Sequence, residues 1–146
     1  MTDSTDTLGT ERHALEAELA TAYANMGYWQ RVVEQTSDRA EELRQIARAL
    51  DFEVQPLRTV FSPLRGLHTA QTWEGQAATN SRNRLDEHEL RCVTAIRAID
   101  TLVDDLESEA LQAESRAATA ASSYDTMRRT AATLEIQLGR LDDVYI

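Results

Sequence analysis

The chain has 146 residues, a formal net charge of −10 at pH 7 and 42% hydrophobic residues. This acidic balance argues against nucleic acid or anionic lipid as a ligand, because both favour basic surfaces. No apolar run approaches the roughly 20 residues that span a bilayer, and no charged region followed by an apolar core is found at the start. We therefore expect neither membrane insertion nor export by the general secretory route.

Composition indicates an all-α protein, since strong helix formers dominate and the chain has only 5 Gly and 2 Pro. Residues 1–8 are polar and acidic without any period, and we interpret them as a disordered tail. The remainder, 9–146, is predicted to be a single helical hairpin domain. Its one cysteine, Cys92, excludes an internal disulfide framework and falls where a small buried side chain is expected.

The first arm of the hairpin is predicted over about 10–71, where apolar and small residues recur at alternating spacings of four and three. This 3.5-residue period keeps one helix facing another along a left-handed supercoil, and we call the facing line the seam. The seam positions of arm one are Leu15, Leu19, Ala22, Met26, Trp29, Val33, Thr36, Ala40, Leu43, Ala47, Leu50, Val54, Leu57, Phe61 and Leu64.

Pro56 and Pro63 interrupt this arm without changing its register. Each proline removes a backbone donor and crowds the preceding turn, at about 3 kcal/mol in a helix interior. We expect a kink or break near them, with Ser62 as the N-cap and Pro63 as the first residue of a restarted helix.

The turn is predicted at 72–75, with Trp73, Glu74 and Gly75 at its centre. Glycine takes the positive backbone angle that reverses a chain, and tryptophan offers a large flat side chain to cover the open end of a two-helix seam.

The second arm is predicted over about 76–143. Its seam positions are Cys92, Ile96, Ile99, Val103, Leu106, Ala110, Ala113, Ala117, Ala120, Tyr124, Met127, Ala131, Leu134, Leu138, Leu141 and Tyr145. Glu89 is the one charged residue where the seam calls for an apolar one, and folding the chain about residue 74 places it near the proline bend. The predicted fold is thus a long antiparallel two-helix hairpin of coiled-coil type.

Apolar residues also lie outside the seam, where two packed helices do not cover them. These are Tyr28, Val32, Ile46, Val60, Leu67, Val93, Leu102, Leu111 and Ile136. We interpret them as a partner face that pairs the hairpin into a four-helix bundle. The alternative is that they are scattered surface apolar residues, which are normal in soluble proteins.

Signs of catalytic or metal chemistry are weak. His13, His68 and His88 are too widely spaced for a local ligand set, and the chain has neither a Gly-rich phosphate loop nor a Gly-x-Ser-x-Gly elbow. We expect no enzymatic activity, no cofactor and no metal site. An acidic run is interpreted as the solvated back of arm two, or as a docking surface for an Arg-rich partner. The run consists of Asp104, Asp105, Glu107 and Glu109.

A Trp-x-Gly turn between two long amphipathic helices resembles the WXG family of type VII (ESX) secretion systems. The matching text is His68-Thr-Ala-Gln-Thr-Trp73-Glu-Gly75-Gln-Ala-Ala78, with small residues directly after the glycine. The resemblance implies a non-enzymatic protein that is made in the cytoplasm and exported through a type VII system. It would act as a secreted substrate, or as a targeting partner or chaperone for a larger effector.

The implied partner is another small WXG-like protein, the helical N-terminal region of an effector, or a second copy. The family's C-terminal export signal is a tyrosine followed four residues later by an acidic residue, and no tyrosine here satisfies it; Tyr124, for example, precedes Arg128. A partner would then carry the signal and bring the pair to the secretion ATPase. The alternative is an intracellular coiled-coil adaptor, or a toxin-binding immunity or chaperone protein unrelated to secretion.

Overall fold

The computed structural model describes residues 2–67 and 74–144, which form three helices. They are α1 (Thr2–Thr59), α2 (Phe61–Leu67) and α3 (Gln76–Val144). Within the described ranges only Val60, Glu74 and Gly75 lie outside a helix. The all-α prediction is confirmed, and arm two begins where the sequence indicated. The predicted turn residues 72 and 73 lie outside the described residues.

The N-terminal segment differs from the sequence prediction, because α1 already begins at Thr2. Residues 2–8 are therefore helical, where the sequence predicts a tail over 1–8, and Met1 lies outside the described residues. The carbonyl of Asp6 accepts a hydrogen bond from Thr10 Oγ1 at 2.8 Å, and a negative charge near a helix N-terminus interacts favourably with the helix dipole. Gly9 lies in this segment, at a cost of about 1 kcal/mol relative to alanine.

The contacts of the chain group into two compact units, and the single hairpin domain over 9–146 stays a prediction. Unit 1 comprises residues 1–39 and 112–146, and unit 2 comprises residues 40–111. Each unit pairs a stretch of α1 with an antiparallel stretch of α3, and unit 2 also contains α2. In a pair of long helices a residue contacts only neighbours at its own level, so contacts group locally as they do in repeat proteins.

The core of each unit lies on the predicted seam. In unit 1, Ala22, Ala131 and Leu134 form a buried cluster with Leu15, Leu19 and Met26 packed against it. Apart from Ala78, every buried hydrophobic residue of the described chain occupies a seam position named above. Those positions are Ala22, Ala40, Leu43, Ala47, Val54, Ile96, Val103, Ala110, Ala113, Ala117, Ala120, Ala131 and Leu134. The 3.5-residue period and the coiled-coil character of the hairpin are confirmed.

Alanine makes up most of this core, and the largest fully buried side chain is Val54. Small seam residues let two helices approach closely, since the distance between helix axes depends on the side chains at the contact. They also bury little apolar area per residue. Each buried branched side chain therefore matters more here than in a large globular core.

The first arm breaks between its two prolines. Pro56 lies inside α1, which ends at Thr59, and α2 starts at Phe61. The predicted break is confirmed, but the expected cap at Ser62 is corrected, because the helix begins one residue before it. Pro63 is tolerated as the third residue of α2, since the first N–H groups of a helix have no partner within the helix.

We expect Val54→Ala to lower the free energy of unfolding by roughly 1–3 kcal/mol, because it removes two methyl groups from a site that leaves 1% of the side chain exposed. Chemical denaturation followed by circular dichroism measures the change. Val144→Ala is the matched control, since Val144 is 70% exposed and surface changes usually stay within about 0.5 kcal/mol. Equal effects of the two changes would contradict a seam-based core.

Candidate partner-binding surfaces

The turn is described from Glu74 onward, and Trp73 lies outside the described residues. Gly75 has a φ of 106°, as the sequence predicted. Its carbonyl accepts hydrogen bonds from the Thr79 N–H at 3.0 Å and from Thr79 Oγ1 at 3.2 Å. Because an N-cap carbonyl accepts the first bond of its helix, Gly75 is the N-cap of α3.

The requirement for glycine at 75 comes from its backbone angle and not from crowding by neighbouring residues. A Cβ built on Gly75 meets nothing within 4 Å, yet its positive φ is a region that L-residues with a side chain rarely occupy. Glu74, beside it, is exposed. The glycine of the motif therefore fixes the backbone at the start of α3, while the glutamate side chain lies in solvent.

One flank of unit 2 is held by ion pairs between the two arms. Arg58 Nη1 donates to Asp100 Oδ2 at 3.2 Å, and Arg58 Nη2 donates to the other oxygen of the same carboxylate. This hydrogen bonding to Asp100 raises the pKa of Arg58 above its ordinary value. Arg58 and Asp100 each follow directly after a seam position, Leu57 and Ile99. We call the side that they define the ion-pair flank.

Arg65 of α2 extends this flank beyond the break. It donates to Asp86 at 2.9 Å and also to Glu89. Glu89 is only partly exposed, as its seam position predicts, and Arg65 supplies its counter-charge. The expectation that this acidic residue lies near the proline bend is confirmed. Exposed pairs of this kind contribute about 0–1 kcal/mol each, so they set register more than they add stability.

Unit 1 has its own contacts between arms. The Tyr23 hydroxyl donates to Glu135, and Arg12 Nη1 lies 2.8 Å from Asp142 Oδ1. The rings of Tyr28 and Trp29 meet edge to face with centroids 5.0 Å apart. Trp29 is partly buried on the seam, whereas Tyr28 is exposed. Among the aromatic residues that α1 contributes to unit 1, Trp29 thus packs on the seam, whereas Tyr23 and Tyr28 are each about half exposed.

Most of the nine residues assigned to the partner face are exposed. Val32 and Val93 are partly buried, and the exposed members are Tyr28, Ile46, Val60, Leu67, Leu102, Leu111 and Ile136. Tyr28, Val32 and Ile136 belong to unit 1, and the others belong to unit 2.

Within unit 2 the apolar residues also lie on different sides. Leu111 lines a groove with Arg44, Arg48 and Glu107, beside the ion-pair flank. Ile46 and Leu102 instead precede the seam positions Ala47 and Val103. At about 100° of rotation per residue, a position before the seam lies on the opposite side from a position after it. Within unit 2, Leu111 therefore lies on a different side from Ile46 and Leu102.

Sequence reasoning missed two large exposed side chains. Phe52 and Leu90 are 79% and 68% exposed, the largest fractions among the large apolar residues that the structure describes in unit 2. Both fall outside the 3.5-residue pattern and outside the second set of apolar positions. Their only signal in the sequence is an apolar residue surrounded by polar neighbours.

Residues 2–67 and 74–144 contain neither a cluster of metal-binding side chains nor a membrane-spanning helix. No group of three or more His, Cys, Asp or Glu within these ranges is placed to hold a metal ion. Over the same ranges, no helix contains a stretch both long enough and apolar enough to cross a bilayer.

All four members of the acidic run are exposed. Cys92 is partly buried, and its Sγ lies 3.9 Å from the Leu57 carbonyl oxygen.

No family model matches the sequence, and neither a curated protein nor a solved structure is significantly similar to the chain. The resemblance to the WXG family therefore depends on the turn motif and the helical pattern alone.

We expect Gly75→Ala to destabilise the protein by about 1–2 kcal/mol, because alanine pays a steric cost at positive φ. Thermal or chemical unfolding measures it. Gly139→Ala is the matched control: Gly139 lies inside α3 with open space around it, so alanine there should stabilise the helix by about 0.5–1 kcal/mol. A stabilising effect at both positions would show that the N-cap of α3 does not need glycine.

Proposed function

We propose that the protein is a non-enzymatic, WXG-like helical hairpin of a type VII secretion system. It is exported as a substrate, or it acts as a targeting partner or chaperone for a larger secreted effector. The observation that carries the proposal concerns Gly75, the last residue of the Trp-x-Gly motif. Gly75 has a positive φ and is the N-cap of α3. The glycine of the motif thus lies at the start of the second arm, which supports the resemblance.

The exposed apolar side chains support a pairing role. A two-helix layer leaves Ile46, Leu102 and Leu111 each about half exposed or more, and burial of such side chains against another helix stabilises a complex. The proposed partner is another small WXG-like protein, the helical N-terminal region of an effector, or a second copy, and the product is a four-helix bundle. The partner supplies the tyrosine-type export signal and the contact with the secretion ATPase.

We expect the protein to appear in the culture medium of its host, and to be absent from the medium of a strain that lacks the type VII secretion ATPase. Immunoblots of medium and cell fractions measure this, with an abundant cytoplasmic protein as the control for lysis. Retention in the cells of both strains would contradict export and would favour an intracellular adaptor or chaperone.

We expect Trp73→Ala combined with Gly75→Ala to abolish export and partner capture while circular dichroism shows that most of the helix remains. The reason is that the substitutions change only the turn, whereas the seam carries the helices. The matched control is Phe52→Ala with Gly139→Ala, which removes one exposed aromatic ring and one glycine away from the turn. Unchanged export and capture in the turn variant would remove the role assigned to the motif.

A further inference from the structure

The two flanks of unit 2 differ in chemistry. The ion-pair flank is crowded with charges that bind one another across the arms. On the other side α3 presents Ala95, Ala98 and Leu102, and α1 presents Ile46 and Ala49; all five are exposed. We call these five residues the apolar flank. Two of the five are large and three are small, so the surface has both knobs and space to receive them.

Charge along α3 is polarised about the centre of this flank. Arg84, Arg91, Ala98 and Asp105 are spaced by seven residues, so they lie along one line of the helix, and Glu109 lies one turn beyond Asp105. All four charged residues are exposed. The end of the apolar flank near the turn is therefore basic, and the opposite end is acidic.

We propose that a second copy of this chain packs on the apolar flank, with the two α3 helices antiparallel about a twofold axis near Ala98. The proposal rests on the pairing role proposed above and names the partner. A residue before Ala98 in one copy then lies beside the residue equally far after Ala98 in the other. Arg91 lies seven residues before Ala98 and Asp105 lies seven residues after it. Arg91 of each copy therefore lies beside Asp105 of the other copy, which gives two equivalent pairs of opposite charge.

The same axis matches side-chain size. Leu102 lies four residues after Ala98 and Ala95 three residues before it, so the leucine of each copy packs over the small residue of the other. Ala98 meets its own equivalent at the axis, where a larger side chain would hold the helices apart. Glu53 of α1 also lies on this side of unit 2. We therefore place the contact on α3, whose residues at the centre of the apolar flank, Ala95, Ala98 and Leu102, are uncharged.

Charge also distinguishes a second copy from an unlike partner. A partner helix of uniform charge would meet like charge at one end of the flank, and juxtaposed like charges oppose association. The chain has a net charge of −10, so two copies repel overall. Only an arrangement that pairs opposite charges locally offsets this repulsion, and the antiparallel twofold provides one.

Light scattering coupled to size exclusion tests the proposal on the full chain. We expect the unaltered protein to have twice the mass of one chain, and Arg84→Glu with Arg91→Glu to reduce it to a monomer. Asp105→Arg with Glu109→Arg should do the same. Mixing the two monomeric variants should restore the dimer, since one then has two acidic ends and the other two basic ends.

The control for the charge exchange uses α3 residues that are exposed but lie away from the apolar flank, Arg97→Glu and Asp104→Arg. These variants should remain dimeric. A monomeric unaltered protein, a dimer that survives the Arg84 and Arg91 changes, or failure of the two variants to associate on mixing would each overturn the proposal.

A disulfide measures the position of the axis directly. In a Cys92→Ala background, Ala98→Cys should give a covalent dimer on mild oxidation, whereas Thr101→Cys, on the outer side of α3, should not. Crosslinking at both positions or only at 101 would overturn the twofold near Ala98. The outcome is independent of export: a monomer that still reaches the medium refutes the second copy alone, and a dimer retained in cells refutes the secretion role alone.

Discussion

The structure depends on the fact that a layer of two helices has no interior except the line along which the helices touch. Buried side chains must therefore come mainly from that line, and among the described residues every buried hydrophobic one except Ala78 occupies a predicted seam position. A single line buries little area, so stability must accumulate over length. The protein meets this requirement with a 58-residue α1 and a 69-residue α3.

The same constraint explains the distribution of charge. A seam of small residues specifies register weakly, because alanines at successive levels are interchangeable. Charged groups beside the seam are specific, since Arg58 pairs with Asp100, and Arg65 pairs with Asp86 and Glu89 across the arms. These pairs lie near the break at Val60, where the backbone interruption removes helical hydrogen bonds. The ion-pair flank thus holds register where the seam is least continuous.

Sequence periodicity predicted well which residues are buried, because a 3.5-residue repeat indicates which residues face the other helix. It predicted the break, since Pro56 and Pro63 act on their own backbone, and the positive φ of Gly75, since chain reversal demands it. It missed the helical start at Thr2, where residues 2–8 have no apolar period to signal a helix. It also grouped Leu111 with Ile46 as one face, because periodicity within one helix does not say which side of it lies next to which side of the other arm.

The turn and the flanks carry different kinds of functional information. A positive φ at Gly75 is required by a chain reversal of this form in any hairpin, so it supports the WXG resemblance only together with its neighbour Trp73. The flanks are specific to this chain. Charge that is acidic overall but polarised along one line of α3 keeps the molecule soluble and opposes indiscriminate association. The proposed dimer uses the one relative orientation in which opposite ends meet, so in this proposal the order of charges along α3, and not their sum, selects the partner.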